Sequence, residues 1–295
     1  MSLSDTLDAE LLPMQEHQHW GVEALWQDLE PILPGLSIEV LARVESTNAA
    51  LVERVRTEGR GRDAPYGRRQ HDLQPCLLIA EHQTHGRGRL GRQWYSSVGA
   101  SLTFSLSLPL NVADWSGLSL VVGCAIAEAL DPLPPGQAPR LQLKWPNDLW
   151  LDGRKLGGIL IETVPAGPTR MGVIGIGLNV SERARVAEGL LGTGFACLQE
   201  LHPGITPPRA LARLAPGLLR ALADFPNQGF AGWRERFAAR DLLRDRPLIS
   251  GAQEGRGAGV NERGELLIQT AQGLQAVAGG EVSVRLAAAP GPQAG

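Results

Sequence analysis

The segment Gly86-Arg87-Gly88-Arg89-Leu90-Gly91-Arg92-Gln93-Trp94 follows the apolar run CLLIAEHQ (76–83) and precedes SLTFSLSL (101–108). Taken alone, GxGxxG after a strand is the fingerprint of a dinucleotide-binding βαβ unit, which demands a helix next and an acidic residue about twenty positions further on. SLTFSLSL instead alternates apolar and polar residues with period two, so it is a strand. A Rossmann unit is thereby excluded, and the chain must build a sheet in which two strands are joined through a glycine- and arginine-rich loop. The glycines give that loop freedom and the arginines give it fixed positive charge, a composition suited to closing over an anion.

Other elements follow from periodicity and turn chemistry. Residues 1–18 are polar and irregular, 19–29 hold one short amphipathic helix, and His17 and His19 read as part of a solvated tail, not as a metal pair. Residues 38–44 form a strand, and Glu45-Ser46-Thr47-Asn48 leads into a helix over 49–56. One of Ser46, Thr47 and Asn48 is its N-cap. Small polar residues cap any helix, while a strand-to-helix turn also aims donors at a ligand above the sheet, so both readings stand. Residues 58–74 carry Gly, Arg and Pro without periodicity and read as a mobile surface loop. A packed helix spans 115–130, strands span 141–145 and 148–151, and an Asp152-Gly153 turn leads to strands at 155–163 and 170–180. Gly175 and Gly177 allow close approach of a ligand or of neighbouring backbone, and Asn179, ending an apolar strand, needs hydrogen-bond partners. Helices are expected over 208–225 and 229–240. After Asp241, short strands at 247–252, 257–260, 265–269, 274–278 and 281–285 describe a separate small β-barrel.

Composition narrows the function classes. The chain has 295 residues and a net charge of −3, which gives no overall electrostatic case for nucleic acid. Cys76, Cys124 and Cys197 lie far apart without CxxC pairing and read as reduced, buried thiols. His82 and His85 have no third ligand in view. With no secretory leader and no apolar run of membrane-spanning length, the expectation is a cytoplasmic protein without a membrane partner. Only two lysines stand against 26 arginines. Both fall in LKWPNDLWLDGRKLGGILIE (143–162), at Lys144 and Lys155, where a compact ammonium has been kept in place of the planar fork of arginine.

Together ESTN (45–48), GRGRLGRQW (86–94), KWPNDLWLDGRKLGGILIE (144–162), GIGLN (175–179) and GGEVSVR (279–285) resemble, in order and spacing, the bacterial biotin protein ligases. The resemblance covers about Val40 to Arg285. It implies an α+β fold: a catalytic domain related to class II aminoacyl-tRNA synthetases, with a mixed sheet flanked by helices, followed by an SH3-like barrel. Expected boundaries are a tail with a short helix (1–37), the catalytic domain (38–240), the barrel (241–286) and a disordered tail (287–295). The segment before ESTN is too short for a winged helix and shows no helix-turn-helix pattern, which predicts a ligase without the repressor function of some family members.

The resemblance also implies chemistry. Biotin and ATP with Mg2+ give biotinyl-5'-adenylate, and a lysine of a biotin carboxyl carrier protein then attacks it. Joining a carboxylate to an α-phosphate brings like charges together, so cations must converge there. By similarity, Lys155, Arg87 and Arg89 are the catalytic charges; Ser46, Thr47, Asn48, Gln83 and Gly88 join Arg87, Arg89 and Lys155 around biotin. Arg89, Arg92, Trp94, Asn179 and Arg285 serve ATP. Asn147 and Asp148 serve the ribose, the phosphates or a hydrated Mg2+, with no metal ligand firmly assigned. For Lys144, Asn147 and Asp148 a structural role stands equally. The family's habit of dimerising through the central sheet makes a homodimer an expectation. A lipoate or octanoate ligase of the same fold and a biotin-sensing DNA-binding regulator are the competing readings.

Overall fold

The structure, a computed structural model, describes residues 17–60, 73–182, 194–251, 253–278 and 284–286. In chain order it carries α1 (Val22–Leu29), β1 (Ser37–Val44), α2 (Thr47–Arg60), β2 (Cys76–Gln83), β3 (Gly86–Arg87), β4 (Gln93–Trp94), β5 (Ser101–Pro109), α3 (Leu118–Leu130), β6 (Leu141–Lys144), β7 (Asp148–Leu151), β8 (Arg154–Ala166), β9 (Thr169–Asn179), α4 (Pro207–Gln228) and α5 (Arg234–Ala238). Seven strands form a mixed sheet in the order β1-β2-β5-β9-β8-β7-β6, parallel only between β1 and β2.

The alternation in β5 decides which face each helix covers. Leu102, Phe104, Leu106 and Leu108 enter the main core with α1, α3 and α4. Helix α3 is apolar all round because it is enclosed, nearly every residue from Leu118 to Ala127 being buried. The opposite face of β5 carries Ser101, Thr103, Ser105 and Ser107, and these are buried too. Over one end of that face α2 packs Leu51, Val52 and Val55 on Leu78, Val164, Met171 and Val173. A polar stripe is therefore sealed beneath α2, and it persists because its hydroxyls find partners, such as Thr103 Oγ1 donating to the Ala80 carbonyl at 2.8 Å.

Several expectations change. Helix α2 begins at Thr47 and runs on through Arg60, so the expected loop at 58–74 starts later; residues 61–72 lie outside the described residues. Over 229–240 there is no long helix, only a 3-10 turn at Ala231–Trp233 and the five residues of α5. His17 is solvated as expected, its side chain 76% exposed, but it is tethered. Its Nδ1 lies 2.8 Å from Glu81 Oε2, and Gln18 N–H and Trp20 Nε1 donate to Glu81 Oε1 at 2.9 and 3.2 Å. Burial pushes the Glu81 carboxyl up, but these donors together hold it below the ordinary carboxylate range. The Asp152-Gly153 turn is as expected, with φ of 47° and 77° at its two central residues, the hairpin geometry that Asp-Gly favours. All three cysteines are buried thiols, and burial pushes Cys124 up to about 12.

The C-terminal strands β10 (Pro247–Ser250), β11 (Gln253–Val260), β12 (Leu266–Thr270), β13 (Gly273–Val277) and β14 (Val284–Leu286) form an antiparallel sheet in the order β13-β12-β11-β10-β14, the small SH3-like barrel expected. Its hydrogen bonding is separate but its core is not, since Leu248, Val260, Leu266 and Ile268 belong to the main cluster. The junction closes the edge of β6: Leu143 N–H donates to Arg240 O at 2.8 Å and Leu242 N–H to Leu143 O at 2.9 Å. Trp145 Nε1 donates to the Gly264 carbonyl at 2.9 Å, a buried link between the two sheets. Arg240 is buried and binds the Asp131 carboxylate and the Leu141 carbonyl.

Asp241, in the same junction, is 9% exposed, with Oδ1 accepting from Leu243 N–H at 2.9 Å and Oδ2 buried without a partner. Burial pushes its carboxyl up to about 6, outweighing the Leu243 N–H and Arg244, which pull it down. Folded Asp241 thus keeps a proton that the unfolded chain has released, so its contribution to stability is fullest below about pH 4 and is lost as pH rises through about 6. Urea unfolding of the natural chain and of Asp241→Asn should show a stability difference that shifts by roughly 2–3 kcal/mol between about pH 4 and about pH 7. A difference independent of pH would refute this.

Candidate functional site

The site is built where the polar stripe emerges from under the start of α2. Ser46 precedes the helix and its Oγ accepts from Ala49 N–H at 3.4 Å, so Ser46 is the N-cap. Thr47 and Asn48 open the helix and are turned inward, each 3% exposed. Thr47 N–H donates to Gln83 Oε1 at 2.7 Å, and Thr47 Oγ1 lies 3.0 Å from the same atom. Ser105 Oγ stands 2.7 Å from Thr47 Oγ1 and 2.6 Å from Asn48 Oδ1. Asn48 Nδ2 donates to Glu162 Oε2 at 2.9 Å and to Leu160 O at 3.3 Å. Ser96 secures the end of β2, its Oγ accepting from Gln83 N–H at 2.7 Å.

Gly175 and Gly177 lie on β9 opposite Ser105 and Thr103. Both do permit close approach, but of side chains. A Cβ at Gly175 would stand 2.1 Å from Asn48 Oδ1, and one at Gly177 would stand 2.4 Å from the Trp94 ring. Asn179 finds its partners, as an amide ending an apolar strand must: Nδ2 donates to Ala196 O at 3.1 Å and to Lys155 O at 3.4 Å, fastening the 194–198 segment to the sheet.

The 86–92 loop is ordered, not slack. Gly86 pairs with Trp94 and Arg87 with Gln93, Gly88 N–H donates to Arg92 O at 2.7 Å, and Arg89–Gly91 form a 3-10 turn. At its crest Leu90 adopts a left-handed φ of 58°, unfavourable for a leucine, and is exposed. Arg87 Nη1 lies 3.4 Å from Glu162 Oε1, and Arg89 Nη1 donates to Asn147 Oδ1 at 3.0 Å. Burial lowers the Arg89 guanidinium, the carboxylate of Asp148 opposes this, and the neighbouring charge of Arg92 adds to it. Arg92 itself is on the exposed side of the loop.

The two lysines take different places. Lys155 Nζ donates to Asp148 Oδ1 at 2.8 Å, with the two side chains 26% and 20% exposed. Asn147 is braced from behind, its Nδ2 donating to Ile159 O at 2.7 Å. Adjacent residues thus receive Arg89 and Lys155, and two cations of different elements meet at one turn. Lys144, the register partner of Asp148 across β6 and β7, has its Nζ 5.1 Å from the ring centre of Trp150. Arg285 lies on β14, where its backbone pairs with Ile249 on the C-terminal sheet.

Three participants had no assigned role in the sequence reading. Ser105 was visible only as one polar position of an alternating strand, Ser96 carried no signal, and Glu162 closed a motif without a stated function. Among the described residues no cluster of three His, Cys, Asp or Glu side chains could hold a metal, and no helix is long and apolar enough to cross a membrane. The geometry joins a buried network of hydrogen-bond donors and acceptors at the start of α2 to cations held on acceptors at the neighbouring strands.

Comparison with known proteins agrees. Residues 68–179 match the family model described as "Biotin/lipoate A/B protein ligase family". The bifunctional ligase/repressor BirA of Escherichia coli is 37% identical over 262 residues, covering 86% of this chain and 76% of that protein. The biotin–[acetyl-CoA-carboxylase] ligase of Paracoccus denitrificans is 33% identical over 256 residues, covering 82% of this chain and 98% of that one. Among solved structures, a biotin protein ligase from Aquifex aeolicus in complex with biotin and ATP superposes with a TM-score of 0.66 at 28% identity, covering 86% of this chain and 100% of that one.

The close contact at Gly175 gives a test of how tightly the cleft is built. Gly175→Ala should displace the Asn48 amide and lower the melting temperature by roughly 5 °C, the effect of overpacking a buried site. Calorimetry showing an unchanged melting temperature would mean that the contact yields without cost.

Proposed function

The chain belongs to the biotin protein ligases, and from that premise we infer how its own side chains carry out ATP-dependent attachment of biotin to protein. Biotin and ATP are its substrates; the adenylate forms first, and an acceptor amine then attacks it. The convergence of Arg89 on Asn147 and of Lys155 on Asp148 is the observation that carries the assignment of charges. A carboxylate approaching an α-phosphate meets two like-charged groups' worth of repulsion, and two cations already seated at that junction lower it without reorganising in the transition state. In this reading Lys155 and Arg89 stand at the junction, and Arg87 closes the loop side.

Thr47, Asn48 and Gln83, beneath the Ser46 cap, line the end that receives the ureido ring, and Gly88 lets the loop backbone come close. Trp94, packed on Gly177, offers a ring to adenine, with Arg92, Asn179 and Arg285 assigned to the nucleotide. Asn179 acts indirectly, by holding the 194–198 segment against β8. The donor set fits Mg2+ only modestly: Asp148 beside Asn147 supplies one carboxylate, which matches an ion that takes most of its ligands from substrate oxygens and water. Bound there, Mg2+ would offset triphosphate charge.

The acceptor in this reading is the lysine of the biotin carboxyl carrier protein of acetyl-CoA carboxylase, the substrate named by the Paracoccus relative. The setting is the cytoplasm, and a homodimer through the central sheet is part of the same reading, β1 being an end strand of that sheet. The fold is shared with lipoate ligases, so substrate choice rests on the cleft. A hydrogen-bonding cleft suits a ureido ring and leaves its polar groups unpaired against a plain acyl chain, a strong basis for rejection.

Biotin-dependent ATP–pyrophosphate exchange, run beside lipoate and octanoate, should show turnover with biotin alone; exchange only with the fatty acids would sink the substrate assignment. Lys155→Ala should keep its fold and lose exchange activity by roughly a hundredfold or more, as when a preorganised charge is removed. Near-normal turnover would refute the role of Lys155.

A further inference from the structure

We propose that Glu162 is a positioning residue that ties the ring-binding end of the cleft to the arginine loop, one carboxylate oxygen fixing Asn48 and the other holding Arg87. The proposal rests on the roles given above to Asn48 and Arg87. Glu162 lies on β8, 26% exposed at its side chain, with Oε2 2.9 Å from Asn48 Nδ2 and Oε1 3.4 Å from Arg87 Nη1. No other side chain bridges α2 to β3 in this way among the described contacts.

The orientation of the Asn48 amide follows from Glu162. A carboxylate and the Leu160 carbonyl are acceptors only, so the group facing them must be the NH2, and Oδ1 must face Ser105. Proton counting constrains the next members. Ser105 has one hydroxyl proton, and Asn48 Oδ1 requires it at 2.6 Å; the one Thr47 hydroxyl proton is then shared between two acceptors, Gln83 Oε1 at 3.0 Å and Ser105 Oγ at 2.7 Å. Gln83 Oε1 is satisfied by the Thr47 backbone N–H. A continuous network joins Gln83, Thr47, Ser105, Asn48, Glu162 and Arg87, with Glu162 accepting from Asn48 on one oxygen and facing Arg87 with the other.

Two consequences follow for the reaction. The remaining lone pair of Asn48 Oδ1 is an acceptor, which a ring N–H of the substrate requires and a saturated acyl chain cannot use. Arg87, more than half exposed, gains a fixed anchor that limits where its loop closes. Glu162 therefore acts through Asn48 on substrate binding and through Arg87 on turnover, and the two effects separate by substitution.

In Glu162→Gln the amide oxygen still accepts from Asn48, but the NH2 faces a guanidinium that has nothing to accept it. Biotin-dependent exchange should show KM for biotin within about twofold of the natural chain and kcat lower by about three- to fivefold, the upper end for a partly exposed ion pair. Glu162→Ala should add a rise of about tenfold in KM for biotin, reproduced as weaker biotin binding in calorimetry without ATP. In an Arg87→Ala background Glu162→Gln should cost no further kcat, as for two residues acting through one contact. Unchanged kcat in Glu162→Gln, an equal loss of kcat in the Arg87→Ala background, or a loss that tracks a lowered melting temperature would overturn the proposal. Turnover of the unsubstituted chain reports on the substrate assignment separately: its absence with biotin overturns both, whereas its presence leaves the ratios to decide on Glu162 alone.

Discussion

The hydroxyl of Ser105, enclosed between a helix and a sheet, sets a condition that much of the structure meets. A buried polar group without a partner costs on the order of 1–3 kcal/mol, so a strand that alternates leucine with serine can be covered on both faces only if the covering element brings hydrogen bonds. Helix α2 brings them at its first turn. Ser46 caps the helix, and Thr47 and Asn48 are left to face inward and satisfy Ser105. The same need explains the missing side chain at Gly175, where any Cβ would occupy the space of the Asn48 amide. Helix start, strand alternation and glycine position are one solution to one constraint.

This also explains what was legible in the sequence. Periodicity disclosed the strands and long helices because apolar burial follows it; β5, β9 and α3 fall within a few residues of expectation. The Asp-Gly hairpin was legible because it needs two left-handed residues in succession. The helix expected over 229–240 was not, because Phe230, Trp233 and Phe237 are spaced like a helical face but bury themselves from a 3-10 turn and a short helix, where tertiary packing decides. The contact of His17 with Glu81 was not legible, because the two lie 64 positions apart and local spacing carries no trace of such a pairing. Of the residues proposed for the site, ESTN, Gln83 and Lys155 stand out by motif. Glu162 and Ser105 were passed over because their significance lies in what they join.

The cations of the site share one arrangement. Arg87 rests on Glu162, Arg89 on Asn147 and Lys155 on Asp148, so each is already held by an acceptor. Such parking orients the groups in advance at the cost of an exchange of partners on binding, and preorganisation of this kind is where electrostatic catalysis gains most. Asn147 is the one neutral partner among them, and the Asp148 carboxylate also acts on Arg89 from beside it.

Why an arginine-rich chain keeps lysine at two positions is answered differently at each. Lys144 lies over Trp150, but arginine stacks on indole equally well, as Arg236 does over Trp233 at 3.5 Å, so the contact itself does not call for lysine. At Lys155 the surroundings do. The ammonium is held against Asp148 next to Gly158. A planar fork would engage both oxygens of Asp148 and be held in that plane. In the role proposed for Lys155, a point charge with three rotatable donors keeps its bond to Asp148 while another hydrogen is free to turn toward an incoming oxyanion.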